Sequence, residues 1–456
     1  MTITTPKIST YQDALDYLYS FIDYERKPAR TPTEAAHNLD RLRALLAALG
    51  NPQAQFPSVV IAGTKGKGST AAILESIVRA GGYRTGLWTS PHLNSYRERI
   101  QVNRTLIAQA DLVALVNRLS PVIEQFDTAT YGAPTTFELG FSIAMCHFAA
   151  QSVQLAVVEV GLGGRYDCAN VLTPLVSLVS SISYDHLNVL GSTLTAIASD
   201  KAGIFKPGVP AVTVPQPAEA AAALTAIAQQ VGTPLHIAVC ARDAATPLCR
   251  DENTERTLLP TLACPVPPIP RLRGAFQREN ARLACAAAVL LRQHPTHPLG
   301  INDAHIQAGL ASVDWPGRLE VVGQQPTIVL DGAHNGDSAY KLVQALQAEF
   351  AYHRLLLVLG VSRDKQIEAI LRELLPAANL LVLTRSRHPR ALTDLARLAQ
   401  QGSVWYSGET LFTDDVPDAL ALAQAHATCD DLICVTGSLF VVGAAREALG
   451  VADVCD

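Results

Sequence analysis

The 456-residue chain is poor in charge, in lysine and in closely spaced cysteines. Only 17% of its residues are charged and 48% are hydrophobic, which excludes a disordered chain or a coiled coil. The longest unbroken apolar stretch near a helix, Leu283 to Leu291, is about half of the roughly 18 to 20 residues that cross a bilayer. No membrane span is therefore expected. The chain is longer than one core usually supports, so we expect two or more domains.

The N-terminal sequence does not resemble an export signal, and the cysteines do not have the spacing of a zinc site. The first ten residues lack a basic region followed by an apolar one, so we expect no secretory signal and a cytoplasmic protein. The nine cysteines are odd in number and scattered, and no CxxC pair occurs. This usage is typical of reduced thiols rather than of a zinc or disulfide framework.

Positive charge is scarce, which limits the ligands that the chain can bind. The net charge is −5 and the pI is near 6.2, and both argue against a nucleic-acid surface. Any anionic ligand therefore needs a local positive site. Eight of the 36 basic residues are lysines, and Lys65, Lys67 and Lys201 fall in the segments that we single out below. Where arginine is the usual cation, a lysine indicates that an amine is needed.

Short β-branched runs alternate with Ala- and Leu-rich stretches from about Ser58 onward, a pattern typical of a parallel sheet flanked by helices. A proline-rich segment at 265–270 interrupts it, and a second series begins after Trp315. We predict an α/β fold with a boundary near residue 315. A P-loop-type, mostly parallel sheet domain (1–315) would precede a smaller Rossmann-like α/β domain (316–456) of ordinary size.

The sharpest local pattern is a strand, Val59–Ala62, that enters a glycine-rich turn and then a helix. In this turn, GTKGKGST at 63–70, backbone N–H groups and a helix N-terminus can surround a phosphate, and Lys67 can reach its oxygens. The spacing differs from the strict Walker pattern, and Gly68 stands where that pattern has Ser or Thr. The alternative is an ordinary strand-to-helix turn.

Polar side chains follow three further predicted strands. Glu159 ends one strand, Ser90 follows another, and His186 comes after a third. Ligands of open α/β sheets bind at the carboxyl ends of the strands, so these side chains are candidate ligands of a metal bound to a nucleotide. The alternatives are a carboxylate that caps the next loop and a surface histidine.

Two further segments have a chemical and a structural interpretation. Lys201 is either a cation at a helix C-terminus or an amine that takes up carbon dioxide and becomes an anionic metal ligand. In the second domain, Asp331 and a glycine end a strand in the sequence DGAHN, and Arg318 lies at the domain junction. These two residues either contact a nucleotide or belong to a structural turn with a capped helix.

Nine segments, taken in order along both domains, resemble the folylpolyglutamate synthase/dihydrofolate synthase family of the Mur-ligase superfamily. They are GTKGKGS (63–69), TSPHL (89–93), ERIQVN (98–103), EVGLGGRYD (159–167), DH with LG (185–191), KAGIF (201–205), GRLE (317–320), DGAHN (331–335) and VTGSLFVVGAAR (435–446).

The resemblance implies a role for each matching residue. Contacts to ATP would come from Gly66, Lys67, Gly68, Ser69, Asn280, Arg318 and Asp331. Mg²⁺, expected as two ions, would be ligated by Ser90, Glu159, His186 and an N6-carboxylated Lys201. Lys67, Lys201 and His334 would be catalytic. Substrate contacts would come from Asn38, Leu39, Asp40, Thr136, Phe137, Glu138, Arg165, Asp167 and Asn335.

Three positions depart from the commonest family pattern. Lys65 replaces a frequent Asn, Asp200 a frequent Glu, and Gly336 a frequent Pro. The Lys65 and Asp200 changes are tolerable near a phosphate cradle and a carbamate. The Gly336 change leaves the start of the helix after His334 less well defined.

The implied reaction joins L-glutamate to dihydropteroate and to reduced folates through an acyl phosphate, in a cleft between the two domains of a monomer. An enzyme limited to polyglutamate synthesis is the alternative. Another amino-acid ligase of the superfamily and a P-loop ATPase that acts as a switch are less favoured.

Overall fold

The computed structural model describes residues 8–23, 39–240 and 259–452. The chain divides into two compact units, each of which has its own sheet. The first unit comprises Met1–Pro91, Arg97–Pro270 and Glu279–Val313, and the second comprises His92–Tyr96, Arg271–Arg278 and Asp314–Asp456. Among the described residues, no helix is both long enough and apolar enough to cross a membrane.

The first unit is built on a nine-stranded sheet with the order β4-β3-β2-β5-β1-β6-β7-β8-β9. Its strands are β1 (Ser58–Ala62), β2 (Thr85–Trp88), β3 (Ile100–Val102), β4 (Thr105–Leu106), β5 (Leu155–Glu159), β6 (Val176–Val179), β7 (Ala211–Thr213), β8 (Leu235–Cys240) and β9 (Thr261–Cys264). Only the β2–β3 and β3–β4 pairs are antiparallel. Because β1 lies between β5 and β6, the loops that follow these three strands leave the sheet side by side.

The second unit has a six-stranded sheet with the order β10-β11-β15-β12-β13-β14. Its strands are β10 (Glu320–Gln324), β11 (Thr327–Leu330), β12 (Leu355–Leu359), β13 (Leu380–Leu383), β14 (Thr410–Phe412) and β15 (Leu432–Thr436). Only β10 is antiparallel to its neighbour. The predicted α/β fold, with a mostly parallel sheet followed by a smaller α/β unit, is confirmed.

Helices cover the sheets, as the alternating pattern predicts. They are α1 (Tyr11–Tyr19), α2 (Leu39–Ala48), α3 (Lys67–Ala80), α4 (Gln109–Glu124), α5 (Thr128–Tyr131), α6 (Thr136–Ala150), α7 (Leu187–Leu190), α8 (Leu194–Lys201), α9 (Ala218–Val231), α10 (Ala275–Arg292), α11 (Asp303–Ser312), α12 (Gly336–Glu349), α13 (Ile367–Leu374), α14 (Leu395–Gly402), α15 (Val416–His426) and α16 (Leu439–Ala448).

Strand β12 shows why runs of leucine form strands here. Leu355, Leu357 and Leu359 belong to the core on one face of the second sheet, together with residues of α12, α13 and α14. Leu356 and Val358 belong to the core on the opposite face, together with residues of α15 and α16. Because both faces of this strand are buried, its sequence is a continuous run of apolar residues, as in other parallel sheets.

Candidate active site

The glycine-rich turn joins β1 to α3 in a conformation that favours glycine. Gly66 is the residue before the helix and has φ 86°, in the left-handed region. A Cβ atom at this position would also collide with the side chain of Asn280. The first backbone N–H groups of α3 have no partner within the helix, which suits an anion. Lys67, Gly68 and Ser69 form its first turn.

This turn is tied to the loop that follows β6. The backbone N–H groups of Thr64 and Lys65 both donate to the Ser181 carbonyl, at 2.9 and 3.2 Å. The Lys65 Nζ lies 2.6 Å from the Asp185 Oδ2. Lys65, one of the departures from the family pattern, is therefore held in an ion pair between the glycine-rich turn and the loop that follows β6. Sequence reasoning noted Asp185 only as the neighbour of His186 and missed this role.

The predicted metal ligands Glu159 and Ser90 lie together. Glu159 is the last residue of β5 and is 6% exposed, and its Oε2 accepts a hydrogen bond from the Ser90 backbone N–H at 3.1 Å. His186 follows β6 and has φ 51°, and its backbone N–H donates to the Asp185 Oδ1 at 2.9 Å. Asp185 thus links His186 to Lys65.

Lys201 is the last residue of α8, but it is not a surface cation at a helix end. It is only 3% exposed, and burial lowers its pKa to about 7, helped by the positive charge of Lys67. Asp200 and Asp185 act in the opposite direction. The interactions with Lys67 and Asp185 place the amine in the electrostatic neighbourhood of both the turn and the β6 loop.

The GLGG loop after β5 packs directly on the Lys201 backbone. A Cβ atom at Gly164 would lie 2.6 Å from the Lys201 carbonyl oxygen, so only glycine fits there. The Arg165 backbone N–H donates to the Asp200 carbonyl at 2.9 Å. The glycines of this loop therefore bring β5 and the end of α8 together.

Carboxylation of Lys201 would add a second anionic oxygen ligand to the predicted metal-binding residues. The described residues contain no group of three or more His, Cys, Asp or Glu side chains that could hold a metal ion. The predicted set has two such side chains, Glu159 and His186, beside the Ser90 hydroxyl and the Lys201 amine. Mg²⁺ prefers oxygen ligands. The lysine fits such a site as an N-carboxylate and not as an amine.

Several predicted substrate residues are engaged inside the first unit. Glu138 is 1% exposed and caps the start of α6, and its Oε1 pairs with the Arg41 Nε at 2.9 Å. The Thr136 hydroxyl donates to the Leu18 carbonyl at 2.9 Å. Phe137 packs edge-to-face on Trp88. These contacts stabilise the local fold, and sequence reasoning missed Arg41 because the partners of this pair are 97 positions apart.

The remaining predicted residues of this group differ in exposure. Asp167 is buried and accepts hydrogen bonds from the N–H groups of Gly161, Leu162 and Ala169, which fixes the GLGG loop. Arg165 is exposed. Leu39 and Asp40 begin α2, and Asp40 pairs with Arg43 at 2.8 Å. Asn38 lies outside the described residues.

In the second unit, Asp331 follows β11 and organises a turn. It is 6% exposed and accepts hydrogen bonds from the Leu319 and Ala333 N–H groups at 3.0 and 2.9 Å. Burial raises the pKa of this carboxyl group, and the nearby Arg318 charge works against that shift. The Arg318 Nη1 donates to the Gly317 carbonyl at 3.0 Å.

His334 and Asn335 continue the same turn into α12. The His334 Nδ1 lies 2.7 Å from the Gly332 carbonyl oxygen, which orients the imidazole ring. The Asn335 Oδ1 accepts from the Ser338 N–H at 2.9 Å and caps the helix. The helix begins at Gly336, although the family commonly has proline there, because the cap lies one residue earlier.

Comparisons with known proteins agree with this architecture. Residues 317–439 match the family model described as the glutamate ligase domain of Mur ligases. The dihydrofolate synthase/folylpolyglutamate synthase of Bacillus subtilis (strain 168) is 32% identical over 454 residues, covering 97% of this chain and 99% of the relative.

Two solved structures match over nearly the whole chain. The Mycobacterium tuberculosis folylpolyglutamate synthase complexed with ADP has a TM-score of 0.83 at 30% identity, covering 98% of this chain and 100% of its own. The bifunctional folylpolyglutamate synthase/dihydrofolate synthase of Yersinia pestis, complexed with AMPPNP and a manganese ion, has a TM-score of 0.77 at 27% identity, covering 98% and 100%. The chain therefore belongs to the folylpolyglutamate synthase/dihydrofolate synthase family of the Mur-ligase superfamily, a family of ADP-forming ligases that join an acid to an amino acid.

Proposed function

We propose that the chain joins L-glutamate to the carboxylate of dihydropteroate, forming dihydrofolate, and to the γ-carboxylate of reduced folates, forming folylpolyglutamates. One observation carries the proposal: the glycine-rich turn, the Glu159–Ser90 pair and the buried Lys201 occur together in a chain that aligns over 97% of its length with a bifunctional relative. The nucleotide and manganese complexes of other relatives support ATP and a divalent cation as its cofactors.

The phosphates of ATP would bind at the N-terminus of α3. Gly66 and Gly68 allow close approach of the backbone, Ser69 offers a hydroxyl group, and the Lys67 ammonium neutralises charge on the transferred phosphoryl group. Asn280, which packs against Gly66, would contact the nucleotide. From the second unit, Arg318 and Asp331 would contribute nucleotide contacts.

We propose that Ser90, Glu159, His186 and an N6-carboxylated Lys201 hold two Mg²⁺ ions. When bound, the ions would neutralise the phosphate oxygens. Two contacts support this proposal: the Ser90 N–H donates to Glu159, and Gly164 packs on the Lys201 backbone. Asp185 fixes His186 and keeps Lys65 in an ion pair.

The chemistry needs an activated carboxylate, because a carboxylate and an ammonium ion do not condense in water. The acceptor carboxylate would attack the γ-phosphorus of ATP, forming an acyl phosphate and releasing ADP. The neutral amine of glutamate would then attack the acyl carbon, forming the amide and releasing phosphate. We infer that glutamate binds to the second unit, whose residues 317–439 match a glutamate ligase domain.

His334 is our candidate for a contact to glutamate. Replacing it with alanine removes a ring that the Gly332 carbonyl orients, and we expect KM for glutamate to rise about tenfold, the usual effect of losing one hydrogen bond to a charged group. Steady-state kinetics with varied glutamate would measure this. Unchanged glutamate KM and kcat in His334→Ala would remove His334 from the glutamate site.

The proposed function is tested by measuring ADP release with Mg-ATP and glutamate. Dihydropteroate is the acceptor in one reaction and tetrahydrofolate in another, and the products are identified by mass. We expect both acceptors to gain glutamate. Extension of tetrahydrofolate alone would leave a polyglutamate synthase, and no reaction with either acceptor would overturn the proposal.

A further inference from the structure

A cluster of cations lies at the carboxyl edge of the sheet in the second unit. We call it the basic edge; it consists of Arg363, Lys365, Arg385, Arg387 and Arg390. Arg363 and Lys365 lie in the loop after β12, and the three other arginines lie in the loop after β13. These strands are parallel neighbours, with Leu359 paired to Leu383, so both loops leave the sheet side by side. Such edges are where open α/β sheets bind ligands.

Specific contacts fix the two loops to each other. The Arg363 N–H donates to the Arg390 carbonyl, and the Leu392 N–H donates to the Val361 carbonyl, both at 2.9 Å. His388 stacks on the Phe440 ring at the start of α16, with ring centroids 3.6 Å apart and an interplanar angle of 4°. The cations are therefore presented from a fixed backbone, which lowers the entropy cost of binding an anion.

Positive charge exceeds negative charge on this edge. Arg385 pairs with Asp414 at 3.0 Å, and the Arg390 Nε lies 3.9 Å from the Asp364 Oδ1. Within the described part of the chain, Arg363, Lys365 and Arg387 form no ion pair with another residue, and Arg363 and Arg387 are exposed. Thr436 ends β15 and pairs with Leu359 at the end of β12, and its hydroxyl group is buried without a hydrogen-bond partner among the described residues. The edge is thus a local positive site in a chain of net charge −5.

We propose that the basic edge binds the free carboxylates along the γ-linked glutamate tail of a folate acceptor. This inference rests on the proposed function and adds the residues that select acceptors by tail length. Each glutamate in such a tail adds one free α-carboxylate, whereas dihydropteroate has no tail. Guanidinium groups match carboxylates in geometry as well as charge. Arg363, Lys365 and Arg387, which form no ion pair among the described residues, exceed in number the two carboxylates of one glutamate, and they suit an acceptor that carries several.

The double variant Arg363→Gln/Arg387→Gln tests this proposal, because both side chains are exposed and neither forms an ion pair with another described residue. With tetrahydrofolate pentaglutamate as acceptor, we expect KM to rise about 5- to 10-fold, as for the loss of two exposed ion pairs, with kcat unchanged. KM for the monoglutamate should stay within about twofold. Raising the NaCl concentration should raise the wild-type KM for the pentaglutamate and leave that for the monoglutamate unaffected.

Arg372→Gln is the matched control. Arg372 lies in the last turn of α13, which leads away from the basic edge, and its Nε is 3.0 Å from the Glu373 Oε1. This variant also removes an arginine charge from the second unit. We expect it to change KM equally, or not at all, for the monoglutamate and the pentaglutamate.

Three results with the double variant would overturn the inference. They are an equal change in KM for all acceptors, an unchanged KM for the pentaglutamate, and a change confined to KM for ATP. Failure of the wild-type protein to extend any folate would instead overturn the proposed function, and the inference with it. The wild-type reaction therefore separates the two failures.

Discussion

Replacing Lys67 with glutamine should lower kcat by about 100- to 1000-fold, the range found when one preorganised donor to transition-state charge is removed. Lys67 is the first residue of α3 and follows Gly66, whose left-handed backbone turns the chain into the helix. In the proposed function its ammonium group neutralises charge on the transferred phosphoryl group, so its loss should slow phosphoryl transfer more than it weakens ATP binding. Because Lys67 is partly exposed, the melting temperature should change little.

Lys65→Gln is the matched control, because it removes a lysine from the same turn. The Lys65 Nζ is paired with the Asp185 Oδ2 at 2.6 Å, so this cation is already committed to the β6 loop. We expect a decrease in kcat of about tenfold or less, from a less ordered Asp185. The measurement is single-turnover formation of ADP in both variants. Equal losses in the two variants would contradict a specific role of Lys67 at the phosphate.

The centres of both sheets could be predicted from the sequence, whereas their edges could not. Central strands such as β1, β5 and β12 are buried along their whole length, so each appears in the sequence as a nearly continuous run of apolar residues. The edge strands β4, β9, β10 and β14 carry intermediate or exposed residues at most positions, so they lack this pattern. Their pairing comes from the neighbouring strand and not from their own residues.

The candidate site shows the same division. The glycine-rich turn and the strand-end residue Glu159 could be located from local sequence, because strand, turn and helix signals are contiguous there. The ion pairs Lys65–Asp185 and Arg41–Glu138 join residues far apart in the chain, and no local pattern marks them. For Thr136 and Glu138, the family resemblance implied substrate contacts, and the structure shows hydrogen bonds inside the first unit.

Lys201→Met should lower kcat by at least about 100-fold, as expected for loss of a metal ligand. Lys201→Arg should lower kcat by the same factor. The two variants separate the two interpretations of this residue. Arginine preserves a cation at the end of α8, so a role confined to the helix dipole predicts activity near wild type for Lys201→Arg. Methionine fills a similar volume without charge. Neither side chain forms a carbamate.

The structure supports carboxylation of Lys201 through the environment of its amine. At 3% exposure, burial lowers the pKa of this amine to about 7, with help from the Lys67 charge. The neutral amine is the form that attacks carbon dioxide, releasing one proton as the carbamate forms. Above about pH 7 the unmodified amine is neutral and reactive, and below it the amine becomes protonated and unreactive. At an equal concentration of dissolved carbon dioxide, activity lost on its removal should therefore recover faster at pH 8 than at pH 6.

¹³C NMR of the protein in ¹³C-bicarbonate provides a readout that does not depend on turnover. A carbamate resonance should appear in the wild type, persist in Lys206→Met, and be absent from both Lys201 variants. Lys206 is a fair control because burial also lowers its pKa, yet its Nζ is bound to the Asn170 side chain at 2.6 Å. A full signal in Lys201→Met, or full activity in Lys201→Arg, would show that Lys201 acts only as a buried structural amine. In that case only Glu159, Ser90 and His186 would remain as the proposed protein ligands of Mg²⁺ in the first unit.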